Sequence, residues 1–437
     1  MRPQPRNVQN VYLTLLLFST LAASFIWGIN TLFLLDAGLS STAAFAANAC
    51  FAAGQVLFEV PTGVVADTWG RRASYLLGAV TLSVATVLYW LAWQLHAPFW
   101  AWAVSSVLLG LGFTFFSGAT EAWLVDALKH TGFKGNLEAV FSKAQIVGGA
   151  ALLSGSVAGG LVAQWTNLGV PYILRSVALA VTFVVAYRYM KDWGFTPRPS
   201  GRPLQEMRQV LRTSLRHGLG NPPVRWMMLS TVFTSGVGFF AFYAMQPYLL
   251  QLYGNEQVYS IAGLAAAIIA GAQIVGGAAA ARVRALFRRR TSALLAGLLA
   301  SCGCLALLGM TTSFWVAIAL LVLWGLIFAA TMPIHQAYMN GLIPSEQRAT
   351  VLSFDSLLGA GGGVVVQPAL GRVADAWSYS TAYVVGAAVQ LLAAPFMVLA
   401  RRERPESDPI EDLPQGRAGE GAGVGTPADP ALDDHSR

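Results

Sequence analysis

Residues 63–72 read Gly63-Val-Val-Ala-Asp67-Thr-Trp-Gly70-Arg71-Arg72, a short charged turn wedged between two long apolar runs, 42–66 and 73–94. Each run is long enough, at about 1.5 Å per residue, to cross a hydrocarbon core of about 30 Å as a helix. The turn therefore reads as a membrane-boundary loop joining two spanning helices, with Asp67, Arg71 and Arg72 at the water interface.

Working outward, the same arrangement recurs. Twelve apolar stretches, α1–α12, run over roughly 9–35, 42–66, 73–94, 98–127, 138–164, 168–190, 225–253, 257–281, 291–312, 314–341, 349–375 and 379–400. Composition agrees: 55% of the 437 residues are hydrophobic and 11% are charged, against about 25% charged in a soluble domain. The runs are continuous, unlike the short alternating segments of an outer-membrane barrel. The first run is much longer than a signal-peptide core and reads as a retained helix. The fold class expected is all-α integral membrane, with twelve transmembrane helices in two six-helix halves.

A net charge of +7 raises the question of nucleic acid, but the basic residues are sorted by loop and do not form one stripe. The links α2–α3 (Arg71, Arg72), α4–α5 (Lys129, Lys134), α6–α7 (Lys191, Arg198, Arg202, Arg208, Arg212, Arg216) and α8–α9 (Arg282, Arg284, Arg288, Arg289, Arg290) carry them. The intervening links, near 36–41, 95–97, 165–167, 254–256, 313 and 376–378, carry none. The positive-inside rule then puts both termini in the cytoplasm, of a multi-pass protein in a bacterial-type inner membrane.

Four segments are expected. Residues 1–190 form the first six-helix half and 225–402 the second. The link 191–224 repeats Leu204, Met207, Leu211 and Leu215 at helical spacing with Arg208, Arg212 and Arg216 on another face, the pattern of an amphipathic helix on an anionic leaflet. Residues 403–437, with nine Asp/Glu and three Arg, read as a disordered acidic tail. The halves resemble each other: an offset of 211 matches α5 with α11 (Gly148/Gly359, Gly160/Gly371), and 218 matches α2–α3 with α8–α9 (Gln55/Gln273, Arg72/Arg290). Parallel repeats of this kind build transporters whose site lies between the halves. Cys50, Cys302 and Cys304 all sit in apolar helices and read as packing residues, with no metal site.

The turn at 63–72 resembles the loop signature of the major facilitator superfamily, a glycine, three residues, Asp, a basic residue, one residue, Gly and two basic residues. Thr68 stands where the signature has a basic residue. The resemblance, with helix count and loop charges, extends over about 8–400. It implies an inner-gate motif of Gly63, Asp67, Gly70, Arg71 and Arg72, in which Asp67 meets the N-terminus of α11 near Ala349 and Thr350. Arg71 can reach an acid on a neighbouring helix, Asp126 being the best placed. The corresponding second-half positions are Ala281, Ala285 and Arg288, so such a latch is one-sided. The run Gly155-Ser-Val-Ala-Gly159-Gly160 resembles the antiporter motif of drug-exporting members, although Ser156 replaces a proline. Glycines at this spacing also simply let helices approach.

Ionisable residues inside membrane helices are costly and so are functional candidates. Asp36, Arg372 and Asp375 lie near outer helix ends and Lys143 and Arg188 near inner ends, where they can snorkel. Glu59, Glu121, Arg175, His335 and Asp355 are deeper. An offset of 214 superposes Glu121 on His335, both about 9 Å from the inner end of their helices. Either can carry a proton, so Glu121, His335 and, next, Glu59 are the expected coupling residues. Trp27, Asn30, Gln55, Trp123, Phe239, Tyr243, Gln246, Gln336 and Tyr338 are available to line a cavity, and as a set they favour an amphiphilic or drug-like solute over a sugar. Glu121 as a binding acid favours a cation, while Arg175 keeps anions open.

The resulting expectation is a secondary active transporter working by alternating access, with proton-coupled efflux as the first reading. Nutrient or metabolite uptake by symport or facilitated diffusion is the second, and a membrane-embedded lipid-handling protein or enzyme is the reading from a different class. No HExxH, no phosphate-binding loop and no Ser/His/Asp arrangement speaks for catalysis. The expected partners are a small-molecule substrate, protons and the lipid bilayer, with no cofactor, no nucleic acid and a monomer as the working unit.

Overall fold

The computed structural model describes residues 4–197, 212, 215–344, 347–405 and 407–410. Twelve spans are long and apolar enough to cross a membrane: α1 Pro5–Trp27, α2 Ser41–Thr68, α3 Arg71–Gln94, α4 Phe99–His130, α5 Leu137–Trp165, α6 Val170–Tyr189, α7 Pro222–Tyr253, α8 Tyr259–Ala285, α9 Arg290–Met310, α10 Phe314–Asn340, α11 Thr350–Ala376 and α12 Tyr379–Arg402. The expected order and number are therefore observed. Pro5, Pro171 and Pro222 sit in the first turns of α1, α6 and α7, where a missing N–H leaves no partner wanting. Ser40, Asn136 and Ser378 accept backbone N–H bonds at the starts of α2, α5 and α12.

Three spans are interrupted where continuous helices were expected. After Trp27 the chain turns through Gly28 and Ile29 into a short helix, Asn30–Asp36. α4 breaks at Ser117-Gly118, where Gly118 takes a left-handed φ of 68°, and α12 is interrupted at Leu392. The left-handed conformation is cheap only for glycine, which is why the break falls on that residue.

Within the first half α5 packs on α1: a Cβ at Gly155 would meet Ser24, and one at Gly159 would meet the Phe25 carbonyl. In the second half α11 packs on α7 in the same way, Gly359 against Ser235 and Gly362 against the Val232 carbonyl. The halves meet along α2 with α11 and α5 with α8.

A matched pair of clasps ties each half's last helix to its third. Asp192, just after α6, accepts from the backbone N–H of Arg72 at 2.9 Å, and the Arg72 guanidinium bonds the Tyr187 carbonyl. Asp408, after α12, accepts from the Thr291 N–H at 2.8 Å and from its hydroxyl at 3.0 Å, while Arg290 bonds the Ser407 carbonyl. Arg72 and Arg290 are the pair that the 218-residue offset aligned. This second clasp lies in the described part of the segment expected as an acidic tail. Asp408 is 1% exposed, and Glu403 accepts from the Trp226 indole at 3.2 Å. Of the amphipathic linker residues, Leu204, Met207, Arg208 and Leu211 lie outside the described residues.

Candidate functional site

Among the described residues, every hydrogen bond between the halves lies near the end opposite the basic loops. There the Asp375 carboxylate at the end of α11 accepts from the N–H groups of Ser41 and Thr42, each at 2.8 Å, and from the Thr42 hydroxyl at 2.5 Å. These are orphan donors of the α2 N-terminus, so the carboxylate caps a helix of the other half. Ser41 also shares a hydrogen bond with the Tyr379 hydroxyl. At the repeat-equivalent position Gln164, ending α5, accepts from the Ser260 N–H of α8 at 3.4 Å. Gln246 of α7 accepts from the Thr31 N–H and donates to the Trp27 carbonyl. Gly28, Gly160 and Gly263 converge at the crossing of α1, α5 and α8, with space for no Cβ. This end is sealed.

Toward the basic loops lie two further cavities, one within each half. One, of about 610 Å³, lies in the first half among α1, α3, α4 and α6 and is lined by Leu16, Tyr75, Leu82, Phe113, Phe116, Glu121, Arg175 and Leu179. The α4 break exposes Ser117 and Gly118 to it, and Glu121 sits one turn beyond. Glu59 of α2 reaches the same break, accepting from the Ser117 hydroxyl at 3.1 Å. Arg175 is 9% exposed and donates to the Thr86 hydroxyl at 3.0 Å and the Ala22 carbonyl at 3.3 Å.

The second cavity, of about 190 Å³, lies in the other half. His335 of α10 bonds Asp355 of α11 at 2.9 Å on its wall, among Thr231, Ser301, Thr331 and Gln390. The second carboxylate oxygen of Asp355 is buried without a partner. Glu121 and His335 thus take comparable places in the two halves and line different cavities.

The expected cavity residues are mostly elsewhere. None of the nine lines either cavity. Trp123 is buried and donates to the Lys191 carbonyl, and Tyr338 is buried with its hydroxyl toward the Ala400 carbonyl. Trp27 stacks on Phe242, against which Tyr243 also packs, and Gln246 belongs to the seal. Asn30 bonds Asn48 and Tyr172. Gln55 is half-buried beside Gly110; Phe239 and Gln336 are exposed. Position along a helix gives a residue's depth but not which of three neighbours it faces; short polar residues of α7, α9 and α10 line the second-half cavity, and other residues of α1, α3, α4 and α6 line the first.

At the basic end, Arg71 pairs with Asp67 of its own turn at 2.7 Å, and its guanidinium lies 5.8 Å from the Phe195 ring centre. Asp126 joins them around a cleft of about 130 Å³ without pairing with either. Gly70 has φ 106°, Gly63 faces open space, and among the described residues Asp67 makes no bond to α11. Outside the spans, burial pushes the Asp192 carboxyl up, against the pull of the Arg72 and Arg71 N–H groups and charges. Asp375, expected to snorkel, instead holds the seal; Gln164, Ser260, Gly28 and Gly263 were not singled out, although the repeat offsets align Asp375 with Gln164 and Thr42 with Ser260.

A family model described as Major Facilitator Superfamily matches residues 12–366 and 285–428. No curated protein sequence matches the chain. Among solved structures, the POT family transporter PepTSo is similar at a TM-score of 0.71 and 13% identity, covering 92% of this chain and 98% of that one. A bacterial homologue of the human lysosomal transporter Spinster is similar at 0.67 and 18%, covering 92% and 98%. The nucleoside transporter NupG is similar at 0.68 and 11%, covering 90% and 98%.

Proposed function

The chain belongs to the major facilitator superfamily, and from that premise we propose that it carries a small amphiphilic molecule across the membrane in exchange or together with protons. It is a multi-pass membrane transporter working by alternating access, not an enzyme. One observation carries the reading: among the described residues the halves are hydrogen-bonded together at one end, by Asp375, Gln164 and Gln246, and not at the other, where a cavity lies in each half. With the basic loops in the cytoplasm, as their charge favours, this is the state open to the inside.

Asp67, Arg71 and Asp126 then stand unlatched, poised for the N-terminus of α11 in the opposite state. The open space around Gly63 fits a close approach made only there. Glu121, Glu59 and the His335–Asp355 pair are the groups that can take up a proton at the cavities. Closing the cavity desolvates Glu121 and favours its neutral form, and opening it to water favours the charged one.

Export by proton exchange is the direction that the resemblance of the Gly155–Gly160 run implies. Those glycines have packing roles here, and Ser156 is buried. Arg175 favours the second reading, uptake with protons, because an anion beside Arg175 and a proton on Glu121 stabilise one another in one cavity. The test is compound-induced proton flux in dye-loaded proteoliposomes, run across a panel of amphiphilic compounds. Expected is flux with at least one compound that Glu121→Gln abolishes while downhill movement persists. Parental proton flux in Glu121→Gln would remove Glu121 from the mechanism and make Glu59 the next residue to change.

A further inference from the structure

We propose that the first-half cavity takes an organic anion, its acidic group paired with Arg175 and its apolar body on the aromatic wall. The inference rests on the transporter reading and adds the substrate's chemical class.

Arg175 is more than nine-tenths buried, yet both its acceptors, the Thr86 hydroxyl and the Ala22 carbonyl, are neutral. The ion pairs among the described residues are Asp67 with Arg71 and His335 with Asp355; neither involves Arg175. A guanidinium carries five N–H donors. The two bonds use two of them, and the remainder of the group lines the cavity, with no nitrogen of Arg175 buried away from space without a partner. Bracing α6 against α1 and α3 requires two neutral donors, which a glutamine supplies. Keeping a full positive charge there without a counter-charge costs several kcal/mol in a low-dielectric interior. An acidic ligand supplies that counter-charge, and the planar fork of arginine matches carboxylate, sulfonate and phosphate oxygens.

The remaining lining specifies the rest of the ligand. Leu16, Phe113 and Phe116 offer apolar and aromatic surface, and about 610 Å³ lies within the range of sites for drug-sized molecules. A small hydrophilic anion would leave that surface wet. Arg175 lies about 7–8 Å into α6 from its sealed end, so the acid leads and the apolar body trails toward the mouth, where Glu121 stands.

The experiment measures equilibrium binding of two isosteric probes, 2-naphthoate and 2-naphthamide, to the full chain in lipid nanodiscs. The parent is expected to bind the acid at least tenfold more tightly than the amide. Arg175→Gln should bring the two affinities together while leaving the amide's unchanged, and Arg175→Lys should retain part of the preference. Ala23→Glu, an exposed position on the cavity wall next to the Ala22 carbonyl that Arg175 bonds, places a carboxylate near Arg175 and should erase the preference with the arginine still present. This variant keeps the test decisive if Arg175→Gln does not fold. Equal affinities in the parent, binding of neither probe, or an acid preference that survives Arg175→Gln would overturn the proposal. Glu121-dependent proton flux surviving such a result would leave the transporter reading standing.

Discussion

Asp375→Asn should release the seal. The carboxylate receives three bonds, from Ser41 N–H, Thr42 N–H and the Thr42 hydroxyl, and both Thr42 bonds are exposed to solvent. A bond to a charged group is worth about 1.5–3 kcal/mol and a neutral one about 0.5–1.5, so neutralisation costs about 1 kcal/mol for each bond kept. The amide nitrogen cannot accept, so at least one of the three is lost outright. The low end of the sum, about 3.5 kcal/mol, is reduced by roughly half for a site this open to water. At least about 1.5 kcal/mol remains, a shift of about tenfold or more toward the state open at the opposite end.

The assay uses one reporter cysteine, Phe45→Cys, in a background with Cys50, Cys302 and Cys304 replaced. Phe45 lies between the halves on α2, inward of Thr42, with its ring 4.8 Å from that of Phe240 on α7, and is 0% exposed. Labelling by a membrane-impermeant maleimide from the sealed side should quicken about tenfold in Asp375→Asn. In Gln164→Glu, which puts a carboxylate at the repeat-equivalent position facing the Ser260 N–H, it should slow. An unchanged rate in folded Asp375→Asn would mean that the carboxylate merely caps α2 and does not govern the opening.

Further outcomes follow from the same contacts. Gly263→Leu forces a side chain between Gly160 and Gly28, and should raise labelling from the sealed side and abolish uphill transport together. Asp408→Ala removes the cap of α9 and should cost about 1–2 kcal/mol, read as a lower unfolding temperature. Asp192→Asn should cost less than Asp192→Ala. Because burial raises the Asp192 carboxyl's pKa, its net contribution to stability falls as pH rises through the carboxylate range, and Asp192→Asn should flatten that slope. Reporter fusions at 96, 255 and 377 should mark one side and those at 132, 205 and 288 the other; a shared side for 255 and 288 would break the topology.

Much of this was legible in the sequence because membrane spans are read from long apolar runs, which tolerate errors in detail. The spans, their order and the basic loops emerge from composition alone. The α4 break was legible only faintly, as the Ser117-Gly118 pair inside an apolar run, and yet it is what turns Glu121 and Ser117 toward one cavity. The cavity linings were not legible, since facing is set by which helices pack together. Trp123 and Tyr338, available by type to line a cavity, hydrogen-bond backbone carbonyls, while Thr231, Ser301 and Thr331, which nothing in the sequence marks out, line one. The clasps were hidden for a different reason: Asp192 and Asp408 lie in links, where acids ordinarily stay solvated.

The repeat carries one more consequence. α2 and α11 run antiparallel, and each ends near a carboxylate, Asp67 on α2 and Asp375 on α11. Asp375 caps the N-terminus of α2 at the sealed end. If Asp67 caps the N-terminus of α11 when the other end closes, the pair exchanges one carboxylate-to-helix bond set for another of the same kind. Such an exchange keeps the two states within a few kcal/mol, which transport requires because both must be visited. α5 and α8 cannot do the same, since the matching positions are Gln164 and Ala285. The balance therefore rests on one helix pair, and the two carboxylates should be thermodynamically opposed. Asp67→Asn alone should slow labelling of the Phe45→Cys reporter and Asp375→Asn alone should quicken it. The double variant should return toward the parental rate, with transport partly restored relative to either single change. A double variant that behaves like Asp375→Asn alone would show that Asp67 has no hold on the opposite state.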